Sequence, residues 1–299
     1  MRLVEQLRQI KHKLMVMSGK GGVGKTSMAV YLALGLARRG HRVGLLDVDL
    51  HGPDVPRMLG ISGKLELNEE HLLIPYAFDD HLQVVSMECL MADRDEAIIW
   101  RGPLKHSFIQ QAITEVKWGK LDYLVIDCPP GTGDEPLSVA QTIKGAQAVV
   151  ITTPQEVSLA DVRKAINFCR KVGMPILGLV ENMSGLICPR CGEEIPLYSK
   201  GGGLKTSQAM HVPFLASLPF DLKVVQGSDT GKPVLDSSDD SPFLKALDAL
   251  LNEVEERCRH QEQREQEKRQ AGEATSLLAQ PAEQTFKAAV PLAGGVLCN

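Results

Sequence analysis

Four short runs hold the residues best able to do chemistry. The first is Gly19-Lys20-Gly21-Gly22-Val23-Gly24-Lys25-Thr26, which fits the phosphate-loop pattern G-x-x-x-x-G-K-[ST] between an apolar run and an amphipathic one. Glycines there let the backbone curl so that successive N–H groups face phosphate oxygens. A helix starting at the loop adds the partial positive charge of its N-terminus. Lys25 has the reach to hold β- and γ-phosphates, and the Thr26 hydroxyl is a candidate Mg²⁺ ligand. Lys20 is a second lysine inside the loop, either a solvated turn residue or one aimed at a nucleotide in a facing subunit.

Two acidic runs follow. Asp47-Val-Asp49 closes the apolar stretch Val43–Asp47, so both carboxylates fall at a strand's carboxyl end. One can hold a Mg²⁺-bound water while the other orients the attacking water. The stretch Tyr123–Asp127 ends on Asp127, a candidate to face Mg²⁺. It runs into Cys128-Pro-Pro-Gly131-Thr-Gly133-Asp134, a loop suited to pivot when a γ-phosphate is lost.

The fourth run is Cys188-Pro-Arg-Cys191. A C-x-x-C turn brings two sulfurs within reach of one metal centre, but a tetrathiolate zinc or a [4Fe–4S] cluster needs four. No second C-x-x-C exists in the chain. The simplest completion is a symmetric dimer presenting the same pair from each protomer. A redox dithiol is a further reading, disfavoured because the pair does not open a helix.

The elements that must position these runs alternate. Apolar runs at Leu14–Met17, Val43–Asp47, Val84–Met87, Tyr123–Asp127, Ala148–Thr152, Ile176–Glu181 and Phe214–Leu218 read as buried parallel strands. Amphipathic segments at Thr26–Arg39, Leu104–Val116, Leu137–Lys144, Ser158–Val172 and Pro242–Arg257 read as helices, with Ser158-Leu-Ala-Asp161 resembling a capping box. Strand–helix alternation predicts an α/β fold of three layers, a mostly parallel sheet with helices on both faces. The expected organisation is an extension over 1–13, one catalytic domain over 14–257, and a tail over 258–299, charged at first and then rich in Ala, Gly, Pro and Gln and expected to be disordered.

Composition narrows the function classes. A net charge of −4 argues against binding nucleic acid through bulk charge. With seven Phe, four Tyr and two Trp there is little material for base-stacking platforms. Seven cysteines, an odd number spread along a long chain, read as reduced thiols in a cytoplasm. The first residues lack the apolar core of a secretory leader, and no apolar run approaches the ~20 residues that span a bilayer. We therefore expect a cytoplasmic chain with no nucleic-acid and no membrane partner.

Taken together, Ser18–Thr26, Asp47–Asp54, Arg101-Gly-Pro103, Leu121–Asp134, Glu181-Asn-Met-Ser184, Cys188–Cys191 and Gly201-Gly-Gly203 resemble the Mrp/ApbC-type iron–sulfur cluster carrier ATPases. These belong to the MinD/ParA-like superfamily with a deviant Walker-A loop, and the resemblance runs from about Leu14 to Leu250. It implies a homodimer with ATP at the facing surface. It implies that Gly19, Lys20, Gly21, Gly22, Val23, Gly24, Lys25, Thr26 and Ser27 bind the nucleotide, with Lys20 reaching across to the partner's phosphates. Lys20, Lys25 and Asp49 would serve catalysis, Asp49 by polarising water. Thr26, Asp47 and Asp127 would serve Mg²⁺, Asn182 the adenine, and Pro219 to Asp221 the border of the base. Cys188 and Cys191 would hold a bridging, labile [4Fe–4S] cluster, passed to apo-proteins and received from assembly scaffolds. Competing expectations are a MinD/ParA-like positioning ATPase, an ATP-dependent electron-transfer reductase (for which Cys128 is the candidate thiol), and a structural zinc shared by the cysteine pair.

Overall fold

The computed structural model describes residues 7–49, 52–90, 110, 113–188, 190–235 and 241–278. By contacts the chain divides into two units, Met1–Glu255 and Glu256–Asn299. The first unit is built on a sheet of order β10-β7-β6-β1-β5-β2-β4-β3. Its strands are β1 (Ile10–Ser18), β2 (Val43–Asp47), β3 (Tyr76–Ala77), β4 (Leu82–Ser86), β5 (Leu121–Asp127), β6 (Gln147–Thr152), β7 (Ile176–Glu181) and β10 (Phe214–Ser217). All neighbours pair in parallel except the edge strand β3, which runs antiparallel to β4. A separate two-stranded hairpin, β8 (Leu186–Ile187) with β9 (Glu194–Ile195), carries the cysteine turn.

The central strands are apolar on both faces because helices cover both. Met15 and Met17 of β1 join a core with Val162, Ala165 and Cys169 of α4 (Glu156–Lys171), and Val139 of α3 (Asp134–Thr142) belongs to the same core. Helix α1 (Lys25–Arg38) lies against β5, β2 and β1. Gly35 of α1 lets the last helix close in: a Cβ there would stand 2.5 Å from Leu251 Cδ1. Tyr31 of α1 meets Phe243 edge-on at 5.2 Å.

The strand order creates the site. From β1 the chain crosses by α1 to β2, beyond β5; later strands β6 and β7 add on the other side of β1. The carboxyl ends of β1, β2 and β5 therefore converge at a reversal of connection, where open α/β sheets bind ligands.

Several elements differ from the reading of the sequence. The short helices α2 (Val55–Leu59), α5 (Gly202–Ala209) and α6 (Leu222–Asp229) carry no long apolar period and were not expected. Helix α4 begins at Glu156, two residues before the anticipated cap, and no side chain caps it. Ser158 is instead buried and accepts the Thr153 hydroxyl at 2.8 Å. The last helix, α7, runs from Pro242 to Leu278, well past Arg257. Glu, Gln, Arg and Ala dominate that extension and all favour helix without an apolar stripe. Residues 279–299 lie outside the described residues, as do Arg101-Gly102-Pro103 and most of the helix expected over Leu104–Val116. Among the described residues no helix is long and apolar enough to cross a membrane.

Candidate nucleotide site and cysteine hairpin

The phosphate loop leaves β1 at Ser18, whose hydroxyl donates to Lys20 O at 2.8 Å. Gly22 and Gly24 take φ of 77° and 79°, the left-handed region that glycine enters without strain. Close approach also demands glycine. A Cβ at Gly19 would fall 2.3 Å from the Asp161 backbone, and one at Gly24 would fall 2.3 Å from Asn182 Nδ2.

The register of the sheet assembles the charged centre. Asp47 of β2 stands opposite Asp127 of β5. Lys25 Nζ donates to Asp127 Oδ1 at 2.6 Å and lies 3.5 Å from Asp49 Oδ2. Thr26 Oγ1 donates to Asp127 Oδ2 at 2.8 Å. Burial works against the charge on Lys25, but the Asp127 and Asp49 carboxylates outweigh it and hold the ammonium above its ordinary pKa. Asp47 is fully buried, and burial together with the nearby Asp127 charge pushes its carboxyl well above the usual range. Both Asp47 oxygens are engaged: Oδ2 accepts from Ser86 Oγ at 2.8 Å and Oδ1 from the Asp49 amide at 3.1 Å.

Thr26, Asp127 and Asp49 thus gather at the carboxyl ends of the strands beside the phosphate loop and offer hard oxygen donors, the chemistry that suits Mg²⁺. Asp47, also expected to serve Mg²⁺, has both oxygens bonded to Ser86 and the Asp49 amide instead. Lys20 donates to Gln155 Oε1 of its own chain at 3.3 Å, a partner that nothing in the sequence indicated. Ser27 lies in the first turn of α1 and is partly buried.

Asn182, directly after β7, sends Nδ2 to Val23 O at 3.0 Å, so its amide is tied to the phosphate loop. Met183 follows with φ 56° and turns the chain away. Asp221 is the N-cap of α6: it accepts from Lys223 N at 2.8 Å and from Ser241 Oγ at 2.7 Å. Pro219 and Asp221 line a cavity of about 410 Å³ together with Leu186, Cys188 and Phe243. The segment expected to border the base and the first cysteine therefore share one cavity wall.

Glu181 has a role the sequence did not reveal. Its buried carboxylate accepts from Gly203 N at 2.5 Å and Ser217 Oγ at 3.0 Å, holding the start of α5. The glycine run is explained at the same time. Gly201 is left-handed at φ 73°, and a Cβ at Gly203 would sit 2.8 Å from Glu181 Oε2.

Cys188 and Cys191 sit in the turn between β8 and β9, Cys188 partly exposed and Cys191 exposed. The turn is closed by Cys188 N to Glu193 O and Gly192 N to Cys188 O, both 2.9 Å, with Gly192 at φ 74°. The amides of Cys191 and then Arg190 hydrogen-bond the Cys188 sulfur and lower its pKa. By contrast, burial pushes the Cys128 thiol far up and Cys169 to about 12.

A glycine-rich loop entering a helix, two strand-end aspartates beside its lysine, and a parallel sheet reversing at that point define a P-loop NTPase with ATPase activity. The family model described as the NUBPL iron-transfer P-loop NTPase of the ParA group matches residues 9–255, and the chain belongs to that family. It is 48% identical over 253 residues to a "Cytosolic Fe-S cluster assembly factor NUBP2 homolog" of Culex quinquefasciatus, covering 83% of this chain and 98% of that protein. A protein of the same name from Monosiga brevicollis is 44% identical, covering 84% and 89%. Among solved structures, the nucleotide-binding protein of Archaeoglobus fulgidus in complex with ADP superposes with TM-score 0.70 at 36% identity, covering 81% and 94%. The cell division ATPase MinD of Pyrococcus furiosus superposes with TM-score 0.62 at 27% identity, covering 82% and 99%.

Proposed function

We propose that this chain is a cytosolic ATP-dependent carrier of iron–sulfur clusters, in which two copies hold one labile [4Fe–4S] cluster and deliver it to apo-proteins. The observation that carries the reading is the β8–β9 hairpin. It presents two sulfurs at an exposed turn, with two backbone amides aimed at the first, an arrangement that stabilises thiolate and suits a metal ligand. One chain supplies half of a four-sulfur site, so two chains complete it. A cluster held by two exposed turns is easier to release than one enclosed within a monomer.

On the nucleotide side the roles follow the family's pattern, and the clustering of these groups at the phosphate loop supports them. Lys25 holds the β- and γ-phosphates, Thr26 and Asp127 hold Mg²⁺, and Asp49 orients the water. Bound Mg²⁺ supplies charge neutralisation at the transferring phosphoryl group. Asn182 and Pro219 to Asp221 bind the base, and Lys20 leaves Gln155 for the partner's phosphates.

Both ends of the cysteine segment are anchored close to residues proposed for the nucleotide. Its outgoing root is Asn182, bonded to Val23. Phe220 N donates to Gly185 O at 2.7 Å, and Leu186 bridges to Phe220. Ser199 Oγ, on the returning limb, donates to Pro154 O at 3.4 Å, next to the Gln155 that holds Lys20. Nucleotide state biases cluster affinity to the extent that it shifts these roots.

Cys128 is fully buried, which weighs against an electron-transfer reading that would use its thiol. Anaerobic reconstitution with iron and sulfide, followed by metal analysis, tests the proposal. About four irons per two chains are expected, and none in Cys188→Ala or Cys191→Ala. Zinc at one per two chains would replace the cluster with a structural metal. Iron retained by both variants overturns the assignment.

A further inference from the structure

We infer that Ser86 is a positioning residue for ATP hydrolysis, acting through Asp47 on the main chain that carries Asp49. Three adjacent strands end together here. The register places Ser86 of β4 opposite Asp47 of β2, and Asp47 opposite Asp127 of β5. All three side chains are fully shielded from solvent.

The hydrogen bonds form a directed chain. Glu88 N donates to Ser86 Oγ at 3.2 Å, Ser86 Oγ donates to Asp47 Oδ2 at 2.8 Å, and Asp49 N donates to Asp47 Oδ1 at 3.1 Å. An aspartate's χ2 is a broad torsion that packing alone does not define. The Ser86 hydroxyl defines it by holding one carboxylate oxygen, which leaves the other aimed at the Asp49 amide. A second anchor, Val48 N to Asp127 O at 3.0 Å, holds the neighbouring peptide. Between them these anchors set the turn that brings Asp49 Oδ2 to 3.5 Å from Lys25 Nζ.

Ser86 is remote from the phosphate loop along the chain and touches none of its residues in the bonds just named. Its contribution must therefore fall on the geometry of Asp49 and not on nucleotide capture. Steady-state and single-turnover ATP hydrolysis on the full chain test this. Ser86→Ala is expected to lower kcat about tenfold, less than the ~100-fold of a full ångström misplacement because the Val48 anchor remains. KM for ATP and the affinity for ADP should change less than about twofold. In an Asp49→Asn background, Ser86→Ala should cost nothing further, because residues acting as one unit are not additive.

An unchanged kcat in Ser86→Ala overturns the inference. So does a rise in KM that accounts for the loss, or an equal loss in the Asp49→Asn background. Should Ser86→Ala not fold, Ser86→Cys, which is close in size but a weak donor, takes its place in the same cycle. The readout is hydrolysis alone, so the result stands apart from whether the chain carries a cluster.

Discussion

Lys25 Nζ lies 2.6 Å from Asp127 Oδ1, so the loop's ammonium is the counter-ion of a fully buried carboxylate. The lysine of the phosphate loop thereby holds the Asp127 and Asp49 carboxylates together. Removing one partner of a buried pair leaves an uncompensated charge, which costs about 3–5 kcal/mol. Lys25→Met is therefore expected to lose that order of unfolding free energy as well as ATP binding. Urea denaturation without nucleotide measures the first, and a fluorescent ATP analogue measures the second. A variant as stable as the parent would show that the pair contributes nothing to stability.

Asn182 Nδ2 donates to Val23 O at 3.0 Å and occupies the space a Cβ at Gly24 would need. Asn182→Ala removes one buried hydrogen bond, costing about 1 kcal/mol of stability. Its larger effect should be on base choice, since a side-chain amide can pair with the adenine edge. The expected outcome is a loss of preference for ATP over GTP in competition binding. Gly24→Ala, strained at φ 79° and clashing, should lose nucleotide binding altogether.

The cysteines should differ in reactivity because their surroundings differ. Cys188 is held low by the Cys191 and Arg190 amides, while burial pushes Cys169 to about 12 and Cys128 well above its usual value. Thiolate is the reactive form. Brief iodoacetamide labelling of the metal-free chain at pH 7.5, read by peptide mass spectrometry, should modify Cys188 and Cys191. Cys128 and Cys169 should be labelled only after unfolding. Early modification of Cys128 would show that the β5 end opens readily.

Asp122 gives a pH signature away from the site. Burial would raise its carboxyl, but Lys11 at 2.8 Å and the Arg42 amide and guanidinium bring it down to about 2. A carboxyl depressed from 3.8 stabilises the fold above its unfolded pKa and loses that contribution as pH falls through about 2. Solvent screening at this surface position limits the effect to about 1 kcal/mol. Asp122→Asn should therefore be less stable than the parent at pH 7. The two should converge between pH 4 and pH 2 in thermal melts.

The phosphate loop and the cysteine turn were legible in the sequence because each is contiguous. The glycines, Lys25 and Thr26 of the one, and Cys188 and Cys191 of the other, fix their own local geometry through neighbouring backbone. Strands β1, β2 and β5 were legible too, since runs buried on both faces have little choice but to be apolar. Helices α2, α5 and α6 escaped because they are short and owe their existence to packing and to caps such as Asp221 and the Glu181–Gly203 contact.

Contiguous residues alone specify the chemistry on offer: a loop for phosphates, aspartates at strand ends, two thiols in one turn. Which groups meet was decided only by the tertiary structure. Ser86 reaches Asp47, Gln155 reaches Lys20, and Glu181 reaches Gly203, across separations of 39, 135 and 22 residues. Ser86 meets Asp47 through strand register, which hydrogen bonding between parallel strands sets. The other two pairs depend on loops and a helix start brought to the strand ends by the packing of the sheet, and no local pattern records either kind of pairing.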